Sequence, residues 1–163
     1  DTDYWSVEAR AAQYFPTFME PVPQTLILLA RAGTMDSFNS NAVPLFDRYF
    51  LGGPNTLRGF GYRKVGPIDA TGEPLGGNSY GFISAEYAFQ VAPIIQLAAF
   101  YDGGFVNTGT SDFSMSDYAD NWGLGMRILI FGAPMRIDYG MPITDPNNNG
   151  GNGRFWFSFG TRF

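Results

Sequence analysis

Arg154-Phe155-Trp156-Phe157-Ser158-Phe159-Gly160-Thr161-Arg162-Phe163 is the stretch whose reading decides the fold. Side chains of an extended chain alternate between two faces, so Phe155, Phe157, Phe159 and Phe163 share one side with Thr161. Arg154, Trp156, Ser158, Gly160 and Arg162 share the other. One face suits hydrocarbon and the other an aqueous or polar interior, which is the alternation of a transmembrane β-barrel strand.

The same sorting recurs upstream. With a period of two the chain divides into about seven segments of barrel-strand length, bounded by Pro, Gly or Asn/Asp clusters. They run over Tyr4–Phe15, Gln24–Asp36, Ser79–Gln90, Ile94–Val106, Asp120–Phe131, Pro134–Ile143 and Arg154–Phe163. In the third, Ile83, Ala85, Tyr87 and Phe89 oppose Ser84 and Glu86; in the fourth, Ile95, Leu97, Ala99 and Tyr101 oppose Gln96 and Asp102. Trp122, Leu124, Met126, Ile128 and Ile130 alternate with positions that include Arg127, and Met135, Ile137, Tyr139 and Met141 with Arg136, Asp138 and Gly140. The second segment is apolar on both faces apart from Arg31.

Alternation alone fits a soluble β-sandwich equally well. Two features favour the barrel. The less apolar face is rich in Gly and Ser with sparse charges of both signs, unlike a sandwich exterior. The connections also alternate in length: Pro16–Pro23, Val91–Pro93 and Gly132–Ala133 are short, whereas Ser37–Asn78, Asn107–Ala119 and Thr144–Gly153 are long. Outer-membrane barrels have short periplasmic turns and long outer loops, which places the C-terminus at the periplasmic rim.

Composition narrows the function classes. A net charge of −5, with Arg63-Lys64 the only adjacent cations, excludes a general nucleic-acid binder. The chain has no Cys and no His, which removes thiolate sites and the commonest general base and metal ligand. No apolar run approaches the roughly 20 residues of a membrane helix. The mean hydropathy of −0.09 does not exclude a barrel, whose strands carry their apolarity in every second residue. Glu8 with Arg10, and Arg136 with Asp138, are opposite charges two residues apart on one strand face and read as charge balance rather than as catalytic pairs. Pro146 to Gly153 reads as a flexible outer loop.

The connection from Ser37 to Asn78, about 40 residues long, is far beyond a hairpin turn, and such loops are functional or disordered. Its aromatics, turn cluster and Arg58 fit an ordered hairpin packed against something, and also fit a surface lid whose Gly52-Gly53-Pro54-Asn55 turn is incidental. Tyr49-Phe50-Leu51-Gly52-Gly53-Pro54-Asn55-Thr56-Leu57-Arg58-Gly59-Phe60, followed by Val65-Gly66-Pro67 and Gly76-Gly77-Asn78, resembles the loop-six signature of the BamA-type outer-membrane protein insertases. That superfamily includes the mitochondrial sorting-and-assembly barrel and the two-partner secretion pores. Downstream, Ser84-Ala85-Glu86-Tyr87, Phe100-Tyr101-Asp102-Gly103-Gly104 and Arg136-Ile137-Asp138-Tyr139-Gly140-Met141-Pro142 resemble successive family strands. Phe157 to Phe163 resembles the C-terminal β-signal.

The resemblance implies an all-β, antiparallel transmembrane barrel of the sixteen-strand type, preceded in most members by periplasmic POTRA modules. Residues 1–163 would supply its C-terminal seven or eight strands as one partial barrel domain. Loop 37–78 would fold back into the lumen, with Arg58, Gly59 and Phe60 forming a latch against Glu86 and Asp102. Phe157, Phe159, Gly160 and Phe163 would form the β-signal and seam. The pairing has a physical basis of its own, because a guanidinium in a restricted lumen is costly unless a carboxylate meets its planar fork.

The implied activity is folding and insertion of other barrel proteins into the bacterial outer membrane, without enzyme chemistry, cofactor or metal. Its partners would be outer-membrane lipid, unfolded β-barrel clients and periplasmic accessory lipoproteins. A polypeptide-secretion pore of the two-partner type and a small stand-alone structural barrel are the alternatives.

Overall fold

The computed structural model describes residues 3–17, 22–39, 42–130, 133–148 and 150–160. Seven strands form one antiparallel meander: β1 (Tyr4–Thr17), β2 (Gln24–Ser37), β3 (Ser79–Ala92), β4 (Ile95–Asn107), β5 (Ala119–Ile130), β6 (Ala133–Thr144) and β7 (Arg154–Phe159). Each pairs only with its neighbours in sequence, so β1 and β7 are the sheet's edges among the described residues. The first six are 12 to 14 residues long. That is about twice the usual strand of about 5–6 residues in a soluble domain and enough for a tilted membrane crossing.

The strand boundaries follow the alternation closely, with local differences. β3 runs past Gln90 to Ala92 through a register shift that leaves Val91 exposed. β7 is described to Phe159, where Gly160 turns the backbone into the left-handed region at φ 88°. The continuation expected through Phe163 lies in residues 161–163, outside the described residues, as does Phe131.

The two faces differ as the parity requires. Val7, Ile83, Leu124, Ile143, Phe155, Phe157 and Phe159 stand exposed on the outer face. Ser84, Glu86, Asp102, Asn121, Arg127, Arg136 and Asp138 are buried on the other, because the long loop lies over it. The apolar core forms between loop and sheet: Leu51, Leu57, Phe60 and Val65 from the loop pack with Tyr80, Phe82, Val106 and Ala119. A sandwich would bury its core between two sheets, and the described residues form one sheet. β2, apolar on both faces, buries Leu29 and Met35 on the side that carries Arg31.

The long loop is built as nested bridges, Tyr49 to Gly77 and Leu51 to Val65, with a smaller bridge between Ile68 and Pro74. The connection after β6, expected to be flexible, carries two hydrogen bonds that tie it down. Asn147 donates its side-chain amide to Gly66 O at 2.8 Å, and Gly150 N donates to the Asp145 carboxylate at 2.6 Å. Asp145 satisfies a backbone group within the connection while Asn147 reaches the long loop, and composition could not distinguish either from solvation.

Candidate functional site: the buried arginine seat

Arg58 is delivered by the turn that the Leu51–Val65 bridge encloses. Gly52 and Gly53 take φ values of 104° and 112°, the Thr56 hydroxyl accepts from Gly52 N at 2.9 Å, and Gly53 N donates to Leu57 O at 3.1 Å. These bonds satisfy the turn internally, so it can leave water. Leu57 and Phe60 on either side of Arg58 enter the apolar core, and the arginine is carried inward between them.

The sheet meets it with carboxylates from three strands. Arg58 Nε and Nη2 donate to the two Asp102 oxygens at 2.8 and 2.9 Å, a bidentate pair, and the Arg58 backbone N adds a third bond to Oδ2 at 3.3 Å. Nη1 donates to Glu86 Oε2 at 2.6 Å and stands 3.7 Å from Asp138 Oδ1. The guanidinium carbon lies 3.3 Å from the centroid of the Phe100 ring, a cation–π contact that closes its flat side. Both members of the bidentate pair are fully buried.

Burial alone would push the Arg58 guanidinium toward deprotonation, but Asp102 first, then Glu86 and Asp138, outweigh it and hold the group above its ordinary value. A cation held up in this way contributes stability through the whole physiological range and loses it only at extreme alkalinity.

Register explains how distant residues converge. Ser84 stands opposite Asp102 and donates to it at 2.6 Å, which fixes the carboxylate for the arginine. Asn121, also opposite Asp102, adds a side-chain donor at 3.2 Å. Gly125 stands opposite Asp138, and Arg127, two residues along, bridges Asp138 Oδ1 at 2.7 Å and Glu86 Oε1 at 2.9 Å. Arg127 thus ties together the acids that Arg58 contacts. The sequence placed it on the correct face without signalling that role, because the bridge spans three strands.

Charge balance between Arg136 and Asp138 takes a different form from the one expected. The ion pairs of Asp138 run to Arg127 and Arg58. Arg136 turns toward β7 and the loop, donating to Ser158 Oγ at 2.9 and 3.0 Å, to Asn55 Oδ1 at 3.1 Å and to Pro54 O at 3.3 Å. Residues two apart on a strand are separated by roughly 7 Å, and here cross-strand and loop partners compete successfully for both side chains. Glu8 does accept from Arg10, at 2.5 Å, and also from the Tyr80 hydroxyl at 2.7 Å.

The loop backbone reaches the sheet at Gly140. A Cβ there would stand 2.6 Å from Arg58 C and Gly59 N, and a Cβ on Gly59 would stand 2.6 Å from that of Asn121. Both positions need glycine for the approach. Trp156 Nε1 donates to Arg58 O at 2.8 Å, a partner that no local pattern indicates. Arg58, Gly59, Phe60, Glu86 and Asp102 therefore lie together. Phe157 and Phe159 face outward elsewhere, Gly160 follows them, and Phe163 is outside the described residues.

A family model described as the Omp85 superfamily domain matches residues 1–163, the whole chain. The chain belongs to the Omp85 superfamily. Among curated Omp85-like relatives, outer membrane protein assembly factor BamA of Nitratidesulfovibrio vulgaris is 32% identical over 139 residues, which covers 82% of this chain and 17% of that protein. A SAM50-like protein of Schizosaccharomyces pombe is 28% identical over 151 residues, covering 85% of this chain and 32% of its own length. Another SAM50-like protein, from Drosophila melanogaster, is 26% identical over 167 residues, covering 98% and 37%. This Omp85 chain spans about a sixth to a third of those relatives. The crystal structure of BamA from Haemophilus ducreyi lacking POTRA domains 1–3 superposes with a TM-score of 0.76 at 21% identity, covering 96% of this chain and 34% of that one. The Omp85 sheet therefore has the fold of a segment of that barrel protein.

The carboxylates of the seat are engaged by the Arg58 and Arg127 guanidiniums, which tie the loop to the sheet.

Proposed function

We propose that this chain is part of the wall of a bacterial outer-membrane barrel that folds and inserts other outer-membrane β-barrel proteins. The observation that carries the reading is the Omp85 family match over the whole chain and the 32% identity to a protein named as an assembly factor, together with a long loop locked by Arg58 onto the sheet. Loop 37–78 lies in the lumen and acts as a plug whose latch is Arg58 against Asp102 and Glu86. The outward phenylalanines meet lipid, the long connections face outside, and the C-terminus lies at the periplasmic rim.

The clients are unfolded barrel proteins, with periplasmic lipoproteins as accessories. The work is non-covalent and needs no cofactor: an exposed strand edge pairs with a client strand by β-augmentation. β7 is this chain's edge for that purpose, with Phe157, Phe159, Gly160 and Phe163 as its signal residues.

The test is the folding rate of an unfolded barrel client in liposomes carrying the full-length protein. Acceleration over empty liposomes is expected, and rates equal to empty liposomes reject the reading. Passage of an extended polypeptide into the liposome with no client insertion would assign a secretion pore instead.

A further inference from the structure

We infer that the long loop holds β7 in position, with Trp156 and Arg136 as the positioning residues, so that freeing Arg58 from its carboxylates also loosens the last strand. The link deepens the assembly reading above and depends on it only for its functional consequence.

An edge strand is ordinarily held by its ladder and by side-chain packing. Among the described residues β7 pairs with β6 over Arg154–Phe159, and Gly160 N adds a bond to Pro134 O at 2.8 Å, whereas β1 and β2 pair over 14 residues. Its outward Phe155, Phe157 and Phe159 are each more than 65% exposed. Within the chain, that leaves mainly its inward face to fix it.

Two inward positions of that face meet the loop directly and the third, Ser158, meets it through Arg136. The Arg154 guanidinium carbon lies 3.4 Å from where a Cβ on Gly61 would stand. Trp156 donates to the carbonyl of Arg58 itself. Ser158 accepts from Arg136, whose Nη2 also reaches Asn55 Oδ1 and Pro54 O, so one planar fork joins β6, β7 and the loop turn.

The residue that the carboxylates hold by its side chain is thus the residue that holds β7 by its backbone. Two sites that share one element bias each other reciprocally. A strand that pairs with β7 and pulls it from the loop weakens the seat, and a released seat frees the strand to receive a partner.

The experiment is amide hydrogen exchange on the intact protein in detergent micelles, for wild type, Arg58→Ala, Trp156→Phe and Arg136→Gln. Trp156→Phe removes one donor and leaves every carboxylate pair in place. It is expected to speed exchange about tenfold in both β7 and loop residues 54–61, with β1 and β2 at wild-type rates. Arg58→Ala is expected to speed exchange in the loop and, with it, in β7.

Exchange in β7 that stays at the wild-type rate while the loop opens overturns the linkage and leaves the latch intact. Trp156→Phe and Arg136→Gln altering β7 alone, with the loop still protected, overturns it equally. If Arg58→Ala does not fold, the other two variants decide, since neither touches the Arg58–Asp102 pair. Client folding in liposomes is measured separately: its absence rejects the assembly role whatever the exchange rates show.

Discussion

Arg58 donates to both oxygens of Asp102 and to Glu86 while Phe100 covers its plane, so its removal leaves buried carboxylates with fewer cations than they need. Breaking a buried pair by deleting one partner costs about 3–5 kcal/mol. Arg58→Ala is expected to make loop 37–78 sensitive to protease and to lower the temperature at which the folded band is lost on a gel. Arg58→Lys keeps the charge but not the fork, and its band is expected to fall between wild type and alanine. Arg127 remains on Glu86 and Asp138 in both variants, which limits the damage to the Asp102 side. Gly140→Ala reaches the same seat from beneath. Its new methyl meets loop backbone rather than a flexible side chain, with an expected cost of about 1–3 kcal/mol and the same protease signature. An Arg58 seat that kept wild-type protection in both Arg58→Ala and Gly140→Ala would mean that the apolar core alone holds the loop.

The strands were legible because their chemistry is local. Phe155, Phe157 and Phe159 announce an outward face within a few residues, and Glu86 and Asp102 announce the opposite one. The wall contacts of Arg127, Trp156 and Arg136 were not legible, since each depends on register between strands or on a loop nearly a hundred residues away. Trp156 lies 98 residues from the carbonyl it binds. Resemblance supplied the Arg58, Glu86 and Asp102 grouping, and parity supplied only their common side. The outward face gives its own test. Phe157→Arg places a cation where the reading puts hydrocarbon, at a cost of about 2–4 kcal/mol near the midplane. Its yield of membrane-inserted protein, measured by vesicle flotation, is expected to fall sharply. Ser158→Arg, on the inward face of the same strand, spares insertion and disturbs loop protection instead. Equal insertion of Phe157→Arg and wild type would contradict a lipid-facing surface.

Taken whole, the described residues form one sheet whose polar face is filled by the chain's own loop. The seat draws on β3, β4, β5 and β6, and β7 then fastens the loop backbone from the far edge. Residues 51–65 precede the receiving strands in the chain, and the surface that receives them includes Trp156 of the last strand. Contacts of such long sequence separation close late, because the entropy of the intervening loop is spent before they form. Arg58→Ala is therefore expected to raise the unfolding rate while leaving the rate of sheet formation in vesicles near wild type, as read by refolding and unfolding band shifts. A slowed sheet would instead place the arginine in the folding nucleus. The 98-residue bond between Trp156 and Arg58 thereby gives the loop a second meaning. It registers the completeness of the wall, since the carbonyl of the seated arginine gains its tryptophan donor only when the last strand is in place.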